Sequence, residues 1–421
     1  MLNKDVLARD PASYRLADGG VAKVSFPPED DDQKAILREQ LETFVCEGAY
    51  AEALRRILDT FNATAGRRGD VPAAWISGFY GSGKSLLANM LGALWTNIEF
   101  DDGATAEGLV HNMPSEVRAA LRELRGNIRR LGSAVVGGST LGRGSQHPVK
   151  AVLEVILRAV GLPSGNDLRP SLVALWLNDQ GILENVRASL GDNFDQAARE
   201  FLLDERLAAA ALAAKPDLAA DIEILMDRLN RQFEHEPEPT VERLVETAQK
   251  ALMLGRREMP LTLIILDEVQ QFIREDPDTS LLIQTIAEEL CSKFRSRVFL
   301  VATGQSALGD VKYLEKLLTR FSIPISLGAA DINSVIRQTV LLKDEVRRPE
   351  VEKLLSLRAG EIDRHLQGSS LQHSAADRQF DAADWPILAP GAGYGNACSL
   401  NSINLGSGPR YAANYAFPSM R

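Results

Sequence analysis

The chain has 421 residues, enough for about two to four domains and for a core that needs no disulfide or metal staple. Hydrophobic residues make up 45% and charged residues 25%; with 47 Lys and Arg against 57 Asp and Glu, the net charge of −10 excludes a globally basic nucleic-acid binder, though not a local basic face. Cys46, Cys291 and Cys398 form no CxxC pair, which argues against a disulfide scaffold or a cysteine-rich zinc site and fits a reducing cytosol.

In chain order, Asp18-Gly19-Gly20 is the expected turn of a small hairpin between Tyr14–Leu16 and Val21–Val24. The acidic run Glu29–Asp32, read as solvated surface, leads into a helix with Ile36, Leu37, Leu41 and Phe44 on one face. A second helix, Ala51–Phe61, follows. Val71–Ser77 then reads as a strand, Gly78–Gly83 as a glycine-rich loop and Leu86–Trp95 as an apolar helix, the opening of an α/β unit. Ser133–Val136 is a second short strand, and Gly137–His147 reads as a mobile loop.

Helical patterns fill most of Val149–Leu254, including Val149–Val160, Leu183–Leu190, Phe201–Leu212 and Leu218–Leu229. Leu261–Leu266 and Val298–Ala302 are near-continuous apolar runs, as expected of buried parallel strands, with a helix at Ser280–Phe294 between them. Ile323–Leu327 is a further strand. Helices are expected over Asp331–Leu342, capped by Asp331, and over Pro349–Leu357 and Gly360–Leu366. Across 385–421 only Arg410 and Arg421 are charged, where the chain-wide fraction would give about nine, so little packed structure is expected there. No stretch reaches the ~18 apolar residues of a membrane span, and MLNKDVLARDP lacks a signal-peptide core, so a soluble cytoplasmic protein is expected.

Gly78-Phe79-Tyr80-Gly81-Ser82-Gly83-Lys84-Ser85 matches the phosphate-loop pattern G-x-x-x-x-G-K-[ST]. Gly78, Gly81, Ser82 and Gly83 let the backbone curl so that amides face phosphate oxygens, Lys84 would reach the β- and γ-phosphates, and the Ser85 hydroxyl would ligate Mg²⁺. Asp267, at the end of an apolar strand, is placed to hold that metal, and Glu268 to orient and deprotonate water. Thr303, with Gln305 as runner-up, ends the neighbouring strand and could touch the γ-phosphate or the water. Arg320 closes a helix before Ile323 and could reach a neighbouring subunit's γ-phosphate. His111, His147, His235, His365 and His373 have no ligand spacing and read as structural or surface residues.

The order of phosphate loop, Asp-Glu strand, polar-tipped strand and Arg-Phe resembles the additional-strand AAA+ ATPase class. WISGFYGSGKSLLANML, LDEVQQFI and LLTRFSIPISLGAADINSVIRQTVLLK look like the P-loop proteins of bacterial BREX phage-defence systems, the BrxC or PglY kind, over roughly residues 10–388. The resemblance implies an α/β P-loop NTPase core, a parallel sheet flanked by helices, at 71–330. A helical insertion at about 149–255 lies within it, a strand and helical extension at 1–70 precedes it, and a partial helical lid at 331–388 follows.

It also implies a cytoplasmic, ATP-binding and ATP-hydrolysing subunit of an antiviral defence complex. Gly78–Ser85 would bind ATP, Asp267 Mg²⁺, and Glu268 would be the base. Its partners would be other BREX components, including a DNA methyltransferase, and further copies of the chain; direct DNA contact is left open. The chain is short for that family, and a frame disruption near Ala389–Gly391 would explain the uncharged tail at 389–421; an open continuation in the neighbouring nucleotide frame is its test. Two alternatives stand beside this reading. One is a nucleotide-binding scaffold fragment without turnover. The other is an AAA+ or STAND-type regulatory ATPase such as an origin loader, which would bring a helix-turn-helix or sensor domain; neither is seen in the sequence.

Overall fold

Runs that are apolar at every position become strands covered on both faces. The computed structural model describes residues 7–8, 23–67, 73–142, 147–328 and scattered positions between 344 and 358. It gathers two such runs, β4 (Leu261–Asp267) and β5 (Val298–Gly304), with four other strands into one six-stranded sheet, in the spatial order β1 (Ser25–Phe26), β3 (Ala134–Thr140), β4, β5, β2 (Ala74–Gly78) and β6 (Ile323–Leu327). The last five run parallel, whereas β1 pairs antiparallel with β3, Ser25 opposite Ser139 and Phe26 opposite Gly138. The sheet is therefore mixed rather than purely parallel.

Before β2 come α1 (Asp31–Thr43) and α2 (Gly48–Thr64), and α3 (Lys84–Thr96), α4 (Ala106–Leu109) and α5 (Ser115–Leu131) link β2 to β3. Between β3 and β4 stand α6 (Pro148–Ala159), α7 (Arg169–Asp179), α8 (Leu183–Leu190), α9 (Phe194–Arg199), α10 (Arg206–Ala214), α11 (Ile222–Phe233) and α12 (Val241–Leu252). α13 (Val269–Ile273) and α14 (Pro277–Lys293) join β4 to β5. The strand period of two sends neighbours to opposite layers. Ile265 and Phe299 meet α3 and α2, while Ile264, Leu266 and Leu300 join a core with α6, α12 and α14.

On the α2/α3 side, Phe61 stacks on Phe299 with ring centroids 4.4 Å apart, and Trp95 meets Phe299 edge-on at 5.6 Å while its indole N–H donates to Leu261 O at 3.1 Å. All three rings are fully buried. Phe299→Ala should lower the unfolding free energy by about 3–5 kcal/mol, since the rings around it cannot close the void; urea denaturation checks this, and a loss below about 1 kcal/mol would mean the cluster repacks.

Several expectations shift. Gly137–Thr140, expected in a loop, is the second half of β3. These glycines serve close approach rather than turning: a Cβ on Gly137 would lie 2.9 Å from Val155 O of α6. The helix expected over Phe201–Leu212 begins only at Arg206, where the Asp204 carboxylate accepts the Arg206 N–H at 2.8 Å. That expected over Leu218–Leu229 begins at Ile222, behind an Asp221 cap that accepts the Ile224 N–H at 2.8 Å. Helix α5 lies outside the elements read from the sequence, although Val117, Ala120, Leu121 and Leu124 are buried at helical spacing.

The whole sheet belongs to a unit of residues 22–42 and 51–327; residues 1–21, 43–50 and 328–421 form a second. In the second, the Phe44 and Tyr50 rings meet edge-on at 5.9 Å, and the described residues between 349 and 358 are helical. The turn at Asp18–Gly20, the helices expected over Asp331–Leu342 and Gly360–Leu366, and the segment 389–421 lie outside the described residues. Among the described residues no helix is long and apolar enough to cross a membrane.

Candidate functional site

Strand β2 ends at Gly78 and the chain turns at once into α3. Gly78 has φ 158°, and a Cβ there would fall 2.5 Å from Ser82 Oγ and 2.8 Å from Leu327 O, so no other residue fits without moving the loop. The Ser82 N–H closes the turn on Phe79 O at 3.1 Å, and Gly83, at φ 81°, opens α3 by accepting the Leu87 N–H at 2.8 Å. The amides that start α3 have no acceptor inside the helix, and they carry its positive end. The result is an anion cradle built from backbone.

Lys84 folds back over this loop, its Nζ donating to Gly78 O at 2.9 Å and to Phe79 O at 3.0 Å. Burial pushes its pKa below the usual lysine value, and the negative charges of Asp267 and Glu268 oppose that shift. Next to it, the Ser85 hydroxyl donates to Asp267 Oδ1 at 3.1 Å, joining motifs 182 positions apart. Asp267 is buried, and two more hydroxyls hold it: Thr303 on Oδ1 at 2.5 Å and Thr140 on Oδ2 at 3.1 Å.

Glu268 stands at φ 59°, a left-handed position rare for a side chain of this type. Its N–H donates to Thr303 Oγ1 at 2.9 Å. Thr303 is fully buried and spends its proton on Asp267 and a lone pair on Glu268, so it positions the acidic pair from within the chain. Gln305 is exposed, and its N–H donates to Gln270 Oε1 at 2.7 Å.

Gln270 itself was not singled out from sequence. Its Oε1 also accepts the Ser306 N–H at 2.8 Å, and its Nε2 donates to Ser306 Oγ and Tyr313 Oη, each at 3.2 Å, tying α13 to the loop after β5. Two glutamines after an acidic pair are the one sequence cue, and they do not say which loop will be held.

Arg320 is not in this cluster. Its carbonyl accepts the Ala73 N–H at 2.8 Å, just before β2 and β6 begin, whereas Lys84 follows the far end of β2. The five residues of β2 alone span roughly 17 Å at about 3.3 Å each. The Arg320 guanidinium pairs with Glu288 on α14. It therefore sits at the N-terminal end of β2 and β6, whereas its own chain's loop follows the C-terminal end of β2. His147 caps α6, its Nδ1 accepting the Val149 N–H at 3.4 Å, and burial holds its pKa below the usual histidine value.

Ser85 and Asp267 offer a hydroxyl and one carboxylate side by side. Such hard oxygen donors suit Mg²⁺, which takes few protein carboxylates and completes its sphere with phosphate oxygens and water. Among the described residues no group of three or more His, Cys, Asp or Glu could hold a metal. A cavity of about 680 Å³ among α6, α7, α12 and residues 232–239 is lined partly by Trp176 and the Lys150–Glu236 ion pair and shares no lining residue with the cluster. No family model matches the chain, and no solved structure matches it.

Proposed function

We propose that this chain binds ATP with Mg²⁺ on the loop Gly78–Ser85 and hydrolyses it, as a P-loop NTPase of the additional-strand AAA+ class. The observation that carries the reading is the 3.1 Å hydrogen bond from Ser85 to Asp267, which brings the phosphate-loop serine to the carboxylate ending a separate buried strand. The parallel strands run β3-β4-β5-β2-β6, so β5 lies between the loop strand β2 and the acidic strand β4, an order that supports the additional-strand reading. Ligand crevices in such sheets form at the carboxyl ends of the strands, where Gly78, Asp267 and Thr303 lie.

In this reading the amides of Gly81, Ser82, Gly83 and Lys84 bind the phosphate chain, and the Lys84 ammonium neutralises its far end. Ser85 and Asp267 hold Mg²⁺, which supplies charge neutralisation at the phosphate oxygens. Glu268 orients water and accepts its proton. Thr303 holds the Asp267 carboxylate and the Glu268 backbone N–H in place. Arg320, being remote from its own loop, acts only across an interface with a second copy, so turnover needs assembly while binding does not. The resemblance of the three segments quoted above to BREX ATPases makes a cytoplasmic anti-phage complex with a DNA methyltransferase the proposed setting.

The test is equilibrium binding of a fluorescent ATP analogue with and without Mg²⁺, with phosphate release measured on size-separated fractions. Micromolar binding by the monomer and turnover confined to larger species support the proposal. A chain that takes up no nucleotide at millimolar concentration overturns it.

A further inference from the structure

Residues 23–26 precede every motif so far given a role, yet they touch the helix that carries Ser85 and the strand whose Thr140 bonds Asp267. Val24 and Thr140 exchange two bonds: the Val24 N–H donates to Thr140 Oγ1 at 2.8 Å, and the Thr140 N–H donates to Val24 O at 2.9 Å. The same Thr140 hydroxyl donates its one proton to Asp267 Oδ2 at 3.1 Å. A hydroxyl that receives one bond while giving another has its rotor fixed.

On the other side, Lys23 O accepts from Asn89 Nδ2 at 3.1 Å, and Asn89 lies one turn after Ser85 on the same face of α3. Phe26 is fully buried between the two elements. A Cβ on Gly92 of α3 would come within 2.5 Å of its ring, and one on Gly138 of β3 within 3.0 Å. The segment is thus wedged between the helix bearing Ser85 and the strand that braces Asp267.

We propose that Thr140 is a positioning residue of the nucleotide site: backed by Val24, it holds the Asp267 carboxylate in the orientation that presents Oδ1 to Ser85 and so sets the divalent-cation requirement of nucleotide binding. The assignment rests on the Mg²⁺–triphosphate reading of the site. Partners that orient a metal ligand from behind are worth roughly 10–100-fold in metal affinity. A side chain that merely fills space would instead affect fold and nucleotide binding alike.

The experiment uses the full chain with Thr140→Val, Thr140→Ser and Val24→Pro. Val24→Pro deletes the N–H behind Thr140 and leaves Thr140 in place. Two titrations are compared: the ATP analogue in chelator, and Mg²⁺ at a fixed analogue concentration. The expected result is a rise of roughly tenfold in half-saturating Mg²⁺ for Thr140→Val, recovery in Thr140→Ser, a smaller rise in Val24→Pro, and metal-free analogue affinity within about twofold of the parent throughout. An unchanged Mg²⁺ requirement in Thr140→Val overturns the assignment. So does an equal loss in both titrations, or, should Thr140→Val fail to fold, an unchanged requirement in Val24→Pro. Failure of the parent chain to bind the analogue at all is a separate result that removes the site reading itself.

Discussion

Lys84→Met is expected to weaken Mg·ATP binding by roughly 30- to 4,000-fold while leaving the nucleotide-free chain as stable as the parent or more so. The ammonium is held by two neutral carbonyls, Gly78 O and Phe79 O, at the mouth of the backbone cradle. It is partly desolvated without a bonded carboxylate, and burial lowers its pKa despite the fields of Asp267 and Glu268. A cation kept in that condition destabilises the empty chain and favours an incoming polyanion. Removing one partner of a buried charge-assisted pair costs about 2–5 kcal/mol, and about 1.4 kcal/mol is a tenfold change, which sets the expected loss.

The pH dependence carries a sign that can be checked independently. Between the lowered folded-state value of Lys84 and the unperturbed 10.5, the unfolded chain binds more protons than the folded one. Stability of the empty chain therefore climbs with pH through that window on account of this group, and Lys84→Met should flatten the climb. Calorimetric titration and thermal melts across pH read the two effects. Unchanged affinity in Lys84→Met would remove the nucleotide reading; a loss of stability instead would mean that the bonds to Gly78 and Phe79 outweigh desolvation.

The parts of this molecule that were legible in the sequence are those whose cause is local. β4 and β5 are covered on both faces and so run apolar without alternation; the glycine-lysine loop needs its residue types at fixed spacing; Asp267 ends a strand and Glu268 follows it directly. What was not legible depends on partners far along the chain. Thr140 meets Asp267 across 127 positions and Val24 across 116, and no local pattern marks a threonine for such a task. Gly137 and Gly138 have a turn's composition, but the approach of α6 and Phe26 is what demands them. Thr303 was placed correctly at a polar strand tip. Its bonds to Asp267 and to the Glu268 N–H depend on the neighbouring strand, which the strand tip's own sequence does not announce.

Glu268→Gln is expected to lower turnover by about 10²–10⁴-fold, the usual worth of a positioned general base, with nucleotide affinity and fold intact. The amide keeps the length and shape of the carboxylate but cannot take a proton. The fold should tolerate the change because residue 268 is held through its backbone. Its N–H bonds Thr303 Oγ1, its carbonyl accepts the Gln271 and Phe272 N–H groups at 3.0 and 3.2 Å, and Gln and Glu bear the left-handed φ of 59° at equal cost.

That φ supplies a control with the opposite signature. A non-glycine residue held there carries roughly 1–2 kcal/mol of strain, so Glu268→Gly should be at least as stable as the parent in urea and equally dead in turnover. Parting of activity from stability in the same position is what a catalytic carboxylate on a strained backbone produces. A surface glutamate capping α13 would instead leave turnover within about tenfold of the parent in Glu268→Gln, below the range a general base contributes, and that outcome would strip Glu268 of its role as the base.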